Sequence, residues 1–235
     1  EKPSDQLELS LGWGGRGAGL VGTLGVQFTN FSLRNIVDKK AWSPLPSGDG
    51  QNLTVRAQLN GKQFQSYNMS FTEPWLGGKK PNSFSVSFFR QRYNLLDGTN
   101  NFTGDVIGKS ITTGGSVGIG TRLKWPDDFF TVRSAINVSH YKLDEFSLYA
   151  NFPFTTGDAT DLNLSTTIAR NSIDNPLFPR KGSTLSFSLD ITLPYSKLFK
   201  GRKNIDYTSS ETSPAEKYKL IEYHKWRINA DWYTP

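Results

Sequence analysis

The 235-residue chain contains no cysteine, so a disulfide framework, a thiolate metal site and a cysteine nucleophile are all excluded. Its two histidines, His140 and His224, stand apart with no acidic or histidine partner at metal-ligand spacing, and no metal site is expected. Long apolar runs are missing as well. No stretch approaches the roughly 18 consecutive apolar residues of a transmembrane helix, which excludes a helical span but leaves a β-barrel open. Hydrophobic residues make up only 36% of the chain. A soluble domain this poor in aliphatic side chains would struggle to fill a core. A barrel facing lipid outside and water inside needs only half its strand residues apolar.

Aromatics, by contrast, are plentiful, with 6 Trp, 9 Tyr and 16 Phe. The net charge of +6 would suit nucleic acid, but Lys and Arg cluster in inferred turns and loops, notably Lys197 to Lys203, so no nucleic-acid partner is expected. Gly12-x-Gly14-x-x-Gly17 mimics a dinucleotide fingerprint, yet the chain that follows, Leu20 to Thr29, alternates as a strand. The helix start that would hold a pyrophosphate is missing, and no cofactor is expected. The acid pairs Asp127-Asp128 and Asp144-Glu145 fall in inferred turns, where such pairs are usually solvated, and no Ser/His/acid spacing suggests an enzyme. Six Asn-x-Ser/Thr sequons (Asn30, Asn52, Asn68, Asn101, Asn137, Asn163) are read as chance products of polar hairpins, since Asn68 and Asn137 fall inside strands.

What the sequence has in abundance is alternation with a period of two, the pattern of a strand with unlike faces. Gln65, Tyr67, Met69 and Phe71 alternate with Ser66, Asn68 and Ser70; after a turn, Phe84, Val86 and Phe88 alternate with Ser83, Ser85 and Ser87. Similar segments predict ten strands: Leu7–Trp13, Leu20–Thr29, Leu53–Leu59, the two around Glu73-Pro74, Ile111–Thr121, Phe130–Val138, Leu162–Ile168, Ser183–Ile191 and Trp226–Trp232. Gly14-Gly15-Arg16-Gly17 and Asn60-Gly61 read as tight turns. Leu95 to Ile107, Lys142 to Asp161 and Pro194 to Lys219 read as long loops, on the side opposite the proline-containing connections. Outer-membrane barrels alternate short and long connections in this way. Trp13, Trp75, Trp125, Trp226, Trp232 and Tyr233 lie near strand ends, where interfacial aromatics belong.

Two motifs carry a resemblance. A strand closing in Phe71-Thr72-Glu73-Pro74-Trp75 before Gly77-Gly78, and the turn Asp174-Asn175-Pro176-Leu177-Phe178-Pro179-Arg180-Lys181-Gly182, are similar to the barrel of the BamA family of outer-membrane protein-assembly insertases, in family order. The resemblance implies an all-β fold, a transmembrane antiparallel β-barrel. About ten strands of a larger, sixteen-strand-like barrel lie in this chain, so residues 1–235 read as a partial barrel domain. The family's periplasmic repeat domains, last strands and Arg-Gly-aromatic loop are not among them.

By the same resemblance, the protein is expected to sit integrally in the bacterial outer membrane and to fold and insert β-barrel proteins without a cofactor or covalent chemistry. Its partners would be outer-membrane lipid, client β-barrel proteins, accessory assembly subunits, and the remaining barrel strands from the same or another chain. The expected working edge is the first strand, Leu7, Glu8, Leu9, Ser10, Leu11, Gly12 and Trp13, whose seam opens to template a client strand. A passive channel or secretion pore of the same superfamily is the alternative, and a soluble β-sandwich binding protein a third.

Overall fold

The computed structural model describes residues 5–13, 19–42, 45–78, 81–97, 104–147, 154–198 and 208–234. The expected turn Gly14 to Gly17, the Asn101 sequon and most of Lys197 to Lys203 lie outside them. Ten strands form one antiparallel sheet in strict sequence order: β1 (Gln6–Trp13), β2 (Leu20–Phe31), β3 (Gln51–Asn60), β4 (Phe64–Glu73), β5 (Ser83–Leu96), β6 (Val106–Arg122), β7 (Phe130–Asp144), β8 (Gly157–Asn171), β9 (Gly182–Thr192) and β10 (His224–Tyr233). The sheet is thus a simple meander, in which even the long connections β2–β3 and β9–β10 return the chain to the adjacent position. Among the described residues the only α-helical segments are single turns, Tyr195–Leu198 and Pro214–Lys217.

The register aligns the apolar set of every strand. Across the middle of the sheet Leu7 pairs with Val26, Val26 with Val55, Val55 with Met69, Met69 with Phe88, Phe88 with Gly115, Gly115 with Val138 and Val138 with Leu162. A neighbouring row continues through Ile136, Leu164 and Ile191 to His224, and the next one from Leu189 to Trp226. These side chains are largely exposed, with Leu24, Met69, Phe88, Val117 and Ile136 all among the exposed large hydrophobics. A belt of this kind in water would be an aggregation surface; against hydrocarbon it is the expected outer wall.

The opposite face is polar and tied across strands. The Ser87 and Ser116 hydroxyls meet at 2.7 Å, Asn137 Nδ2 donates to Asn163 Oδ1 at 2.9 Å, and Thr167 and Ser188 meet at 3.0 Å. Asn68 and Asn137 are therefore wall residues, as the sequence indicated. The glycine-rich face of β6 has a use here: a Cβ on Gly114 would fall 2.7 Å from the Phe89 ring, which lies over that backbone.

Strands β5 to β8 run further than their alternation predicts. Residues read as the ends of loops, Leu95–Leu96, Val106, Lys142–Asp144 and Gly157–Asp161, are ladder-paired strand. Beyond the bilayer both faces of a strand are polar, so the alternation fades while backbone pairing continues. Buried hydrophobics collect at that same end, where Leu96, Leu143, Phe146, Ala159 and Tyr195 form a small core under the loops. The returning loop after β9 lies along β8, with Thr160 N donating to Lys219 O and Ile221 N to Thr160 O, alongside the part of β8 that β9 does not reach.

Candidate functional site: a free strand edge and two turn motifs

Among the described strands β1 is paired with β2 alone, and every one of its eight residues is exposed. The direction of its backbone groups follows from the neighbouring hairpin. Gly61 N donates to Leu20 O at 2.8 Å, so Leu20 addresses β3. Alternation then turns Val21, Thr23, Gly25 and Gln27 toward β1. The next residue of that set, Thr29, conforms: its N–H donates to Asp5 Oδ1 at 3.0 Å. The β1 partners of this set are Gly12, Ser10, Glu8 and Gln6, whose N–H and C=O are spent on β2. Leu7, Leu9 and Leu11 present theirs to the open side.

The expected edge residues thus divide in two. Glu8, Ser10 and Gly12 brace the edge from inside; Glu8 also pairs with Arg56 on the polar face. Leu7, Leu9 and Leu11 are the residues a further strand would pair with, and they are 70%, 74% and 74% exposed. The same reasoning applies to the other margin. Thr192 N donates to Tyr223 O, so Lys225, Arg227, Asn229 and Asp231 face β9, and Trp226, Ile228, Ala230 and Trp232 face outward from the sheet.

The first turn motif braces the end of the wall opposite the long loops. Phe71 and Thr72 belong to β4, and Phe71 meets the Phe31 ring edge-on at 6.2 Å. Pro74 ends the strand, since it has no N–H for the ladder. Glu73 is the connector: its Oε1 accepts from Trp75 N at 2.9 Å and its Oε2 from Gln51 Nε2 at 2.8 Å. Gln51 Oε1 in turn accepts from Leu33 N at 2.7 Å, beside the fully buried Ser32, whose hydroxyl donates to Asp49 Oδ2 at 2.6 Å. One carboxylate therefore fixes both its own turn and the long segment 32–50.

The second motif is a carboxylate cradle. Asp174 Oδ1 accepts from the backbone N–H of Asn175 and Arg180 at 3.0 Å each and of Lys181 at 3.2 Å, while Asn175 Oδ1 accepts from Leu177 N at 2.9 Å. The Arg180 and Lys181 amides hold the Asp174 carboxyl below its ordinary 3.8. Pro176 and Pro179 stand within the loop so formed, where they remove donors that would otherwise need partners. Gly182 closes it at φ 109°, and a Cβ there would lie 2.2 Å from Ser172 O, so no other residue fits.

Sequence reasoning missed the residue that joins this turn to its neighbour. Arg170 Nε donates to Asp127 Oδ2 at 2.8 Å, its Nη1 reaches both Ser172 Oγ and Ser183 Oγ at 2.7 Å, and its guanidinium lies 5.6 Å from the Phe129 ring centre. Asp127, expected to be solvated, is instead an ion-paired strut. Desolvation pushes its carboxyl up, but the Arg170 hydrogen bond, the Phe129 amide and the Arg170 charge together hold it below 3.8. Nothing local in the sequence marks a pair so far apart in the chain.

At the loop end, Tyr223 Oη donates to Asp161 Oδ2 at 3.1 Å; burial and then the Asp161 charge push the phenol up to about 12. Among the described residues His140 has Thr160 at 3.0 Å and Asp158 at 4.0 Å as polar partners, and His224 lies on the outer margin of the sheet. Among the described residues no group of three His, Asp or Glu side chains is placed to hold a metal.

A sheet that, among the described residues, has two open edges, an apolar outer belt and a polar lining is part of a barrel wall, and known proteins agree. The crystal structure of BamA from Haemophilus ducreyi lacking POTRA domains 1-3 superposes with a TM-score of 0.52 at 21% identity, over 83% of this chain and 35% of that one. The chain thus spans about a third of the length of that protein, and the likeness is one of fold. No curated protein matches. Residues 47–231, from the end of the first long connection through nearly all of β10, match the Omp85 superfamily domain, and the chain belongs to that superfamily of outer-membrane proteins.

Proposed function

We propose that this chain is the first part of a bacterial outer-membrane insertase barrel, integral to the membrane, which folds and inserts client β-barrel proteins through a seam at β1. The remaining strands come from the same chain's continuation or from another chain, and accessory assembly subunits complete the machine. The observation that carries the reading is the β1 edge: Leu7, Leu9 and Leu11 offer backbone donors and acceptors to the open side while their side chains match the lipid-facing belt. A client strand added there satisfies those groups and extends the belt in one step, by backbone recognition that tolerates many sequences. No cofactor and no covalent step are required.

Proline separates this reading from that of a passive pore. Leu9→Pro removes one N–H aimed at the seam and is sterically admissible on an edge strand, whereas Leu9→Ala keeps the donor. In the complete protein, Leu9→Pro should stop accelerated folding of a client barrel in vesicles and Leu9→Ala should leave it within about twofold, the difference expected for a modest change in a side chain that backbone recognition does not read. Ser10→Pro acts differently, since it breaks the β1–β2 ladder and should loosen the barrel itself. Unimpaired client folding by Leu9→Pro, with ion conductance unchanged, would favour the channel.

A further inference from the structure

On the outer face, just past the apolar belt on the side of the long loops, the sheet changes character abruptly. Phe84, Val86 and Phe88 of β5 give way on the same face to Arg90 and Arg92; Val138 of β7 gives way to His140 and Lys142; and β6 carries Lys109 beyond Ile111 and Thr113. The register sets these in rows. Arg92, Ile111 and Lys142 are consecutive partners across three strands, as are Arg90, Thr113 and His140 one step nearer the belt. Two strand spacings separate Arg92 from Lys142, so their Cα atoms are roughly 10 Å apart.

The acids on this face are Asp144, opposite Lys109, and Asp158, opposite Lys142 and 4.0 Å from His140 Nε2. Arg90 and Arg92 have none opposite: Arg90 lies between Tyr67 and Thr113, and Arg92 between Gln65 and Ile111. Among the described residues neither arginine forms an ion pair. Arg92 spends only its Nε on Asn94 Oδ1, at 3.0 Å.

We propose that Arg90 and Arg92, with Lys142 and Lys109 beside them, form a site on the barrel's outer surface for the phosphates of anionic lipid headgroups in the leaflet nearest the long loops. The inference rests on the membrane reading of the sheet and adds the class of lipid it selects. Two permanent cations held on a rigid strand at the edge of an apolar belt face neither bulk water nor protein carboxylates. The groups present at that depth are headgroups, and a guanidinium fork matches a phosphate through paired N–H donors. The neighbouring Tyr67, 47% exposed on the same face, is suited to the same interface.

The test uses the complete protein in detergent, titrated with phosphatidylglycerol or phosphatidylcholine and read by native mass spectrometry of lipid adducts. Each cation near an anionic surface strengthens binding about 5-fold, so Arg90→Gln/Arg92→Gln should lose about 25-fold in phosphatidylglycerol affinity and none for phosphatidylcholine. Arg133→Gln, which removes a cation from the inner face, should change neither. Arg90→Gln alone, at an exposed position, should cost about 5-fold and serves if the double variant fails to fold. Equal adduct formation by the arginine variants and the unaltered protein, no preference of the unaltered protein for phosphatidylglycerol, or displacement of the lipid by millimolar inorganic phosphate would each overturn the proposal. Client folding measured on the same samples keeps the two readings apart. Folding activity without lipid preference sinks only this inference, and preference without folding activity sinks only the insertase.

Discussion

Arginine placed at Met69 and at Asn68, adjacent residues of β4, should have very different consequences. Met69 sits in the belt between Val55 and Phe88, 50% exposed, with Leu53, Ala57 and Val86 two positions away on the neighbouring strands and Arg90 one step toward the long loops. A guanidinium there must enter hydrocarbon or drag water inward, at a cost of up to roughly 2–4 kcal/mol, the value for the bilayer midplane. Asn68 points to the polar face, where its Nδ2 donates to Ser66 Oγ at 2.9 Å and its partner across the ladder is Arg56. Arginine there keeps its water and loses one modest hydrogen bond, about 1 kcal/mol. It also meets a like charge opposite, at most about 1 kcal/mol more, and Arg56 is already engaged with Glu8. The worked difference is therefore up to about 3 kcal/mol, or up to roughly 150-fold in the folding equilibrium, with Met69→Arg the more costly. Reversible guanidinium unfolding of the complete protein in lipid vesicles, followed by tryptophan fluorescence, reads it directly. Equal destabilisation by Met69→Arg and Asn68→Arg would refute the assignment of faces, and a larger loss at Asn68 would invert it.

The 235-residue chain alone should not give a stable monomer in detergent, because both margins of the sheet expose backbone groups that cost several kcal/mol each in hydrocarbon. A protease-resistant, heat-modifiable monomer of this segment would contradict that. Gly182→Ala should cost roughly 1–3 kcal/mol through its positive φ, and more through the clash with Ser172 O, while Gly12→Ala, with nothing within 4 Å of its Cβ, should be nearly neutral in the same unfolding assay. The Asp174 cradle fixes the sign of a pH effect. Its folded carboxyl titrates below 3.8, so its contribution is fully present above that value and is lost as pH falls through the lower, folded one. Amide resonances of Arg180 and Lys181 should therefore titrate with a midpoint under 3.8, and a midpoint at or above it would show that the cradle is not formed.

Much of this protein was legible before any coordinates. Alternation with a period of two located all ten strands in order and assigned the lipid and polar faces, because a barrel strand must satisfy two solvents at once and so writes its orientation into every second residue. The turn motifs were visible for a similar reason: Glu73-Pro74 and Asp174-Asn175-Pro176 bond mainly to their own neighbourhood, and Gly182 is demanded by a local φ. Tertiary structure decided what depends on pairing. Sequence could nominate Ser10 and Leu9 equally as edge residues, but only the ladder to β2 shows that Ser10 turns its N–H inward and Leu9 outward. Beyond the membrane the two-solvent constraint lapses, so the ends of β5 to β8 read as loops although their backbones remain paired. Arg170 meeting Asp127, and Arg90 and Arg92 standing beside Lys142, are products of register between distant segments, which no local periodicity encodes.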